Sequence, residues 1–277
     1  MTIQLGLTES DLAPTIQTGA NMLVFAPDLC YLRMSIVNVV FFGDPSKGSG
    51  WVLIDTGLPT SARSIIDAAE HRFGRGAKPL AIVMTHGHFD HAGSLEALQN
   101  YWDVPVYAHQ LELPYLSGRA SYPPADPLAG GGLMALASPL YPRSPVDIRP
   151  RLAPLPTDKR VPGMPGWQWL HTPGHTLGHV SLWRESDRTL IAGDAIVTTG
   201  QESIYEVIMQ TPEMHGPPRY FTPDWKEAER SVKKLASLEP DLIITGHGPP
   251  VQGENMRLQL NELARNFPLI AVPTRLR

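Results

Sequence analysis

The sequence predicts an α/β protein built of layered sheets and helices. Three observations carry this. Short β-branched and aromatic runs alternate with helical patterns through the first half. The same order returns in the second half. Several of the runs end in Gly, Asp or His, at the strand-end loops where such folds place their sites. Hydrophobic residues make up 42% of the chain and charged residues 18%, which favours a sizeable core over disorder. Its 277 residues are many for one domain, but layered folds reach this length as one unit, so a single domain over 1–277 is expected.

The elements follow in order. Ser35 to Phe42 and Trp51 to Asp55 are apolar runs flanking the turn-rich GDPSKGSG, which reads as a β-hairpin. Thr60 to Phe73 places Ile65, Ile66, Ala69 and Phe73 at helical spacing, and Gly74 ends it. Pro79 to Thr85 is a buried strand that runs into HGHFDH. A helix over Gly93 to Tyr101 turns Leu95 and Leu98 inward, and VPVYAH is a further short strand.

Residues 114–165 depart from this pattern. They hold 12 of the 28 prolines and the run Gly130-Gly131-Gly132. Unstructured loops beyond about 15 residues are uncommon in compact domains and often serve as lids or arms. The apolar content (Tyr115, Tyr122, Leu128, Leu133, Met134, Leu136, Leu140, Tyr141) argues against a solvated linker. The segment reads as an insertion, packed over the site or onto a second subunit of a homodimer. A wrap around the core is the equal alternative.

In the second half WQWLH, VSLWR and TLIAGD read as strands. Thr222 is expected to cap a helix with Pro223 at its first position and Trp225, Ala228, Val232 and Leu235 as its inner stripe. DLIITGHG is a strand and loop, and a helix from about Glu254 to Asn266 follows.

Bulk properties remove some function classes. The net charge of -4 and the lack of a basic run argue against a nucleic-acid surface. The start MTIQLGLTESDLAP lacks the pattern of a signal peptide, and no stretch reaches the roughly 18 apolar residues of a membrane span, so a cytoplasmic protein is expected. Cys30 is the single cysteine; it can form neither an internal disulfide nor a thiolate-rich metal site, so any metal falls to His and carboxylate.

The chemistry concentrates in His86-Gly87-His88-Phe89-Asp90-His91. A pattern HxHxDH arises by chance on the order of 10⁻³ times in a chain of this composition and length. His86 and His88, two apart on a strand-end loop, can share one metal. Asp90 and His91, a step further on, can reach a second. Imidazole and carboxylate suit zinc first, iron or manganese second. Three later strand ends add a ligand each: His175 in TPGHTLGH, Asp194 after Gly193, and His247 between Gly246 and Gly248.

On these motifs, from LIDTG (Leu53 to Gly57) to GHG (Gly246 to Gly248), the chain resembles the metallo-β-lactamase superfamily, and within it the glyoxalase II-like and lactonase-like hydrolases. The resemblance implies a four-layer αββα sandwich. It implies that His86, His88 and His175 bind one metal, that Asp90, His91 and His247 bind a second, and that Asp194 bridges the two. Asp55 would orient ligands from behind, and His179 would not be a ligand. His71, His109 and His171 read as structural or exposed. His215, in a Pro-rich loop, is a weaker candidate for the pocket.

The expected activity is hydrolysis of an ester, thioester or lactone of a small molecule by a hydroxide between two divalent metals, with Asp90 as catalytic proton carrier. Asp194 departs from dedicated β-lactamases, which usually lack the bridging carboxylate. His88 departs from flavodiiron proteins, which carry Glu there. The short segment after His247 lacks the glutathione-binding part of glyoxalase II. Val197 stands where lactonases tend to carry Tyr; Tyr205 or Tyr220 are the candidate replacements. The alternatives are a mononuclear iron dioxygenase of the same fold, and β-lactamase or phosphodiesterase activity.

Overall fold

The computed structural model describes residues 6–129, 132–143, 146–201, 205, 209 and 211–277. Gly130 and Gly131 of the expected glycine run lie outside them. The chain divides into two compact units. The N-terminal unit comprises Pro14–Tyr122 and Pro142–Gln168. The C-terminal unit comprises the chain up to Ala13, Pro123–Tyr141 and Trp169–Arg277.

The N-terminal unit is built on an eight-stranded sheet in sequential order: β1 (Ile16–Gln17), β2 (Met22–Ala26), β3 (Leu29–Met34), β4 (Val37–Phe42), β5 (Val52–Ile54), β6 (Ala81–Val83), β7 (Val106–Ala108) and β8 (Leu152–Pro154). The expected hairpin is present as the antiparallel pair β4–β5, and β5, β6, β7 and β8 run parallel. Parallel neighbours need crossover helices, supplied by α1 (Ala62–Phe73) and α2 (Leu95–Trp102). α1 begins two residues later than the sequence reading and stops at Gly74, whose φ of 98° a side chain would resist. Cys30, Val39, Phe41, Leu53, Ile82 and Val106 of one sheet face pack with Ile65, Ala69, Leu98 and Trp102 of these helices. Leu29, Val40, Ile54 and Val83 alternate with them and are buried as well.

The C-terminal unit carries most of a five-stranded sheet in the order β13-β12-β11-β10-β9, formed by β9 (Trp167–His171, from Trp169 on in this unit), β10 (Val180–Arg184), β11 (Thr189–Gly193), β12 (Leu242–Thr245) and β13 (Val251–Gln252). Leu190, Ala192, Ile243 and Val251 pack with Ala228, Val232 and Leu235 from a later helix (Trp225–Ala236), and with Leu260 and Leu263 from a last long one (Gly253–Arg265).

The segment 114–165 is partly ordered into elements. It contains most of α3 (Leu113–Leu116), all of α4 (Leu133–Ala137), and β8, which pairs in parallel with β7. Pro154 closes β8 on the sheet's edge, where a missing N–H does least harm. The two long helices of the C-terminal unit continue the series as α5 (Trp225–Ala236) and α6 (Gly253–Arg265). The cap of α5 corrects the expectation at Thr222. Asp224 is the N-cap, and its side chain accepts from the amides of Lys226 and Glu227. Thr222 instead donates its hydroxyl proton to the Pro218 carbonyl.

Candidate metal centre

In the N-terminal unit the motif loop leaves the C-terminal end of β6. The parallel pairing of Ile54 with Val83 sets the end of β5 beside it, so Asp55 reaches the loop. Asp55 takes a left-handed φ of 60°, a strain tolerated where a side chain is held by strong bonds. Its Oδ1 accepts from the Thr85 amide at 2.8 Å. Its Oδ2 accepts from the Thr85 hydroxyl at 2.7 Å and from His91 Nδ1 at 2.8 Å.

These bonds settle two tautomers. A carboxylate only accepts, so His91 carries its proton on Nδ1 and its lone pair on Nε2. The Thr85 hydroxyl has given its proton to Asp55, so at 3.0 Å it accepts from His86 Nδ1, and the His86 lone pair is also on Nε2. This is how imidazoles are prepared as metal ligands. After His88 the backbone turns, with the amides of His91 and Ala92 both donating to the His88 carbonyl. Potential ligand atoms of His86 lie within 4.8 Å of those of both His88 and His91, and Asp90 lies within the same distance of His91. All four residues are buried.

In the C-terminal unit the parallel pair β11–β12 aligns Gly193 with Thr245, so Asp194 and His247 leave neighbouring strand ends. Thr245 Oγ1 and the Thr198 amide both donate to the His247 carbonyl, at 2.6 and 3.1 Å. Asp194 Oδ2 lies 3.1 Å from His247 Nε2 and 3.5 Å from His175 Nε2. His175 Nδ1 has a long contact of 3.5 Å with Thr222 Oγ1. The structure therefore brings His175, Asp194 and His247 together around one carboxylate oxygen.

His179 supports Asp194 by its main chain: the Asp194 amide donates to His179 Nε2 at 2.9 Å. His215 pairs with Glu213 at 3.0 Å. Tyr205 is exposed, and Tyr220 is buried against Ala125 and Ala135. Two residues near the motif loop add to the predicted set: Glu112, fully buried and not singled out in the sequence, and Tyr122, read there only as part of the apolar content of 114–165. The Gly87 amide donates to Glu112 Oε2 at 3.0 Å and to Tyr122 Oη at 2.9 Å, and the Tyr122 hydroxyl donates to Glu112. Burial, and then the Glu112 carboxylate, push the Tyr122 hydroxyl well above the usual phenol range.

The family model described as the metallo-beta-lactamase superfamily matches residues 32–247. The chain belongs to the metallo-beta-lactamase superfamily. Within the superfamily, it is 49% identical over 236 residues to the probable metallo-hydrolase YflN of Bacillus subtilis (strain 168), covering 85% of this chain and 89% of that one. It is 26% identical to a hydroxyacylglutathione hydrolase of Bdellovibrio bacteriovorus, over 71% of this chain and 68% of that protein. Among solved structures it resembles TTHA1623 in a di-iron-bound form, with a TM-score of 0.50 and 26% identity over 91% and 97% of the two chains. The expected fold class, α/β with two sheets that each carry helices, holds for this superfamily member. So does its place among the metallo-hydrolases. Among the described residues, no helix is long and apolar enough to cross a membrane.

Proposed function

We propose that His86, His88, Asp90 and His91 of the N-terminal unit and His175, Asp194 and His247 of the C-terminal unit serve one dinuclear metal centre in a single catalytic domain over 1–277. We propose further that this centre hydrolyses a carboxylic ester, thioester or lactone. The observation that carries the reading is Asp194 Oδ2, which stands within 3.1 and 3.5 Å of two imidazole nitrogens, where one carboxylate can serve two ions. In this assignment His86, His88 and His175 hold the first ion, Asp90, His91 and His247 the second, and Asp194 both.

The donor set fits such a pair. It offers imidazole and carboxylate without thiolate, and the tautomers of His86 and His91 put their lone pairs on Nε2. Zinc is the first choice; the likeness to TTHA1623 in its di-iron-bound form supports testing iron, and manganese is third. Bound divalent ions supply a hydroxide nucleophile at neutral pH and polarise the substrate oxygen. The chain's own part is positioning and proton transfer. Asp55 holds His91, the Thr245 and Thr198 bonds hold the His247 loop, and the Asp90 carboxylate takes the proton of the attacking hydroxide and returns it to the leaving group, an oxygen in an ester or lactone and a sulfur in a thioester. The acyl class of substrate is supported by the 26% identity to a hydroxyacylglutathione hydrolase. A small-molecule substrate, a cytoplasmic location and no nucleic-acid or membrane partner complete the reading. A homodimer is proposed through the segment bearing the exposed Leu133, Leu136 and Leu140.

Metal analysis joined to a panel of esters, thioesters, lactones, phosphodiesters and β-lactams tests this. Two ions per chain and turnover of an acyl class are expected. Fewer than two ions with no hydrolysis overturns it, and oxygen consumption by a single-iron form establishes the dioxygenase alternative.

A further inference from the structure

We infer that Glu112 and Tyr122 are positioning residues that clamp the first half of the motif loop and so set the affinity of the ion assigned to His86 and His88. The inference rests on the dinuclear reading above.

Three observations meet at Gly87, the residue between those two histidines. Its amide is shared by Glu112 Oε2 at 3.0 Å and Tyr122 Oη at 2.9 Å. The Tyr122 hydroxyl passes its proton to the same Glu112 oxygen, so it is already committed as a donor and is not free to serve as an oxyanion donor. The cradle is closed around the glycine: a Cβ there would stand 2.8 Å from Tyr122 Oη and 3.1 Å from Leu116 Cδ2.

The clamp also reaches His88 through a ring contact. The Tyr122 ring lies 4.4 Å from the His88 ring, and Tyr115 also stacks on Tyr122 at 4.0 Å and 8°. A fully buried carboxylate behind the loop adds negative charge near a site that must attract cations. Groups that orient ligands in this way are typically worth about 10–100-fold in metal affinity.

The test uses Tyr122→Phe, which keeps the ring and removes the hydroxyl; Glu112→Gln, which keeps the shape and removes the charge; and Tyr115→Phe as a control. Zinc affinity is read by competition with a chromophoric chelator, cobalt binding by its visible spectrum, and fold by thermal melting of the metal-free protein. Tyr122→Phe and Glu112→Gln are each expected to weaken one of the two ions by about 10–100-fold and to alter its cobalt spectrum, leaving the other ion and Tyr115→Phe unchanged. Equal affinity for both ions in all three variants overturns the clamp. So does a uniform weakening of both ions that tracks a lower melting point, because that is a merely structural role. If the parent protein itself binds fewer than two ions, the dinuclear reading has failed, which is a separate result.

Discussion

His91 Nδ1 lies 2.8 Å from Asp55 Oδ2, with both side chains buried. The contact ties the end of β5 to the motif loop that leaves the parallel strand β6, and puts the His91 lone pair on Nε2. Asp55→Asn isolates this bond, because Asn tolerates the left-handed φ of 60°. The variant's amide accepts less strongly, or turns its own N–H towards the imidazole proton and favours the wrong tautomer. Affinity for one zinc ion is expected to fall about 10–100-fold with little change in fold. Chelator competition measures it, and unchanged affinity would remove Asp55 from the support of the site.

Asp90 is the proposed proton carrier. Replacing it with Asn keeps the shape and an oxygen donor but removes the base. Turnover is expected to fall by about 10²–10⁴ while KM changes little. Metal content must be measured alongside kcat. Near-parent turnover with two ions bound would exclude the role.

The motif loop was legible because four ligand types fall within six residues after an apolar strand. His175, Asp194 and His247 were legible for a related reason: each follows a strand whose apolar run stands out. Where contacts are made over long separations, no such signal exists. Gly87 meets Glu112 and Tyr122 across 25 and 35 residues, with α2 and β7 between them, and no local spacing links the three positions. β2 and β3 were legible but not read: Met22–Ala26 and Leu29–Met34 are apolar runs on either side of the turn at Pro27-Asp28. β8 was hidden because three residues ending in proline carry no recognisable alternation. At the start of α5, Thr222-Pro223 matches a common capping pattern, but Asp224 can reach two amides at once and prevails.

Gly174 precedes His175 at a φ of 131°, and a Cβ there would stand 2.3 Å from the Ala228 amide nitrogen. That neighbour is helix backbone and cannot swing aside. The loop is further pinned to α5 by Ser231 Oγ donating to the Pro173 carbonyl at 2.7 Å. Gly174→Ala is expected to cost about 2–5 kcal/mol, through both strain and overpacking. Gly48→Ala, at a φ of 61° with open space around it, should cost only about 1–2 kcal/mol. Urea midpoints of the two variants make the comparison, and similar losses would mean that α5 yields.

Burial raises the Cys30 thiol from its ordinary 9.0 to about 12, slightly opposed by Arg72, and burial likewise raises Tyr31 from 10.0 to about 12. Both groups hold their protons more tightly when folded. Their contribution to stability is therefore complete below the unfolded values and is lost as pH rises from about 9 towards 12. Urea unfolding at pH 8 and pH 10.5 should show this loss, and Cys30→Ala should show a smaller one from its own lower starting stability. An equal alkaline loss in both proteins would assign the effect elsewhere.

A chain of hydrogen bonds behind Asp194 has only one consistent direction. The Asp194 amide donates to His179 Nε2, so His179 is neutral with its proton on Nδ1. That proton goes to Thr172 Oγ1 at 2.9 Å. Ser181 Oγ donates to the Ala192 carbonyl at 2.8 Å, so across the 3.0 Å Thr172–Ser181 contact the proton comes from Thr172. Each hydroxyl gives and takes once, and the string ends on the strand that presents Asp194. Thr172→Val keeps the volume but strands a buried imidazole N–H and a serine oxygen, at a cost of about 1–3 kcal/mol. Because Asp194 is assigned to both ions, the affinity of both should fall together, unlike the single-ion losses expected at Asp55 and Tyr122. Thr172→Ser restores the hydroxyl and should recover most of both effects. A Thr172→Val protein that is as stable as the parent, with two ions bound as tightly, would show that the strand alone holds Asp194 in place.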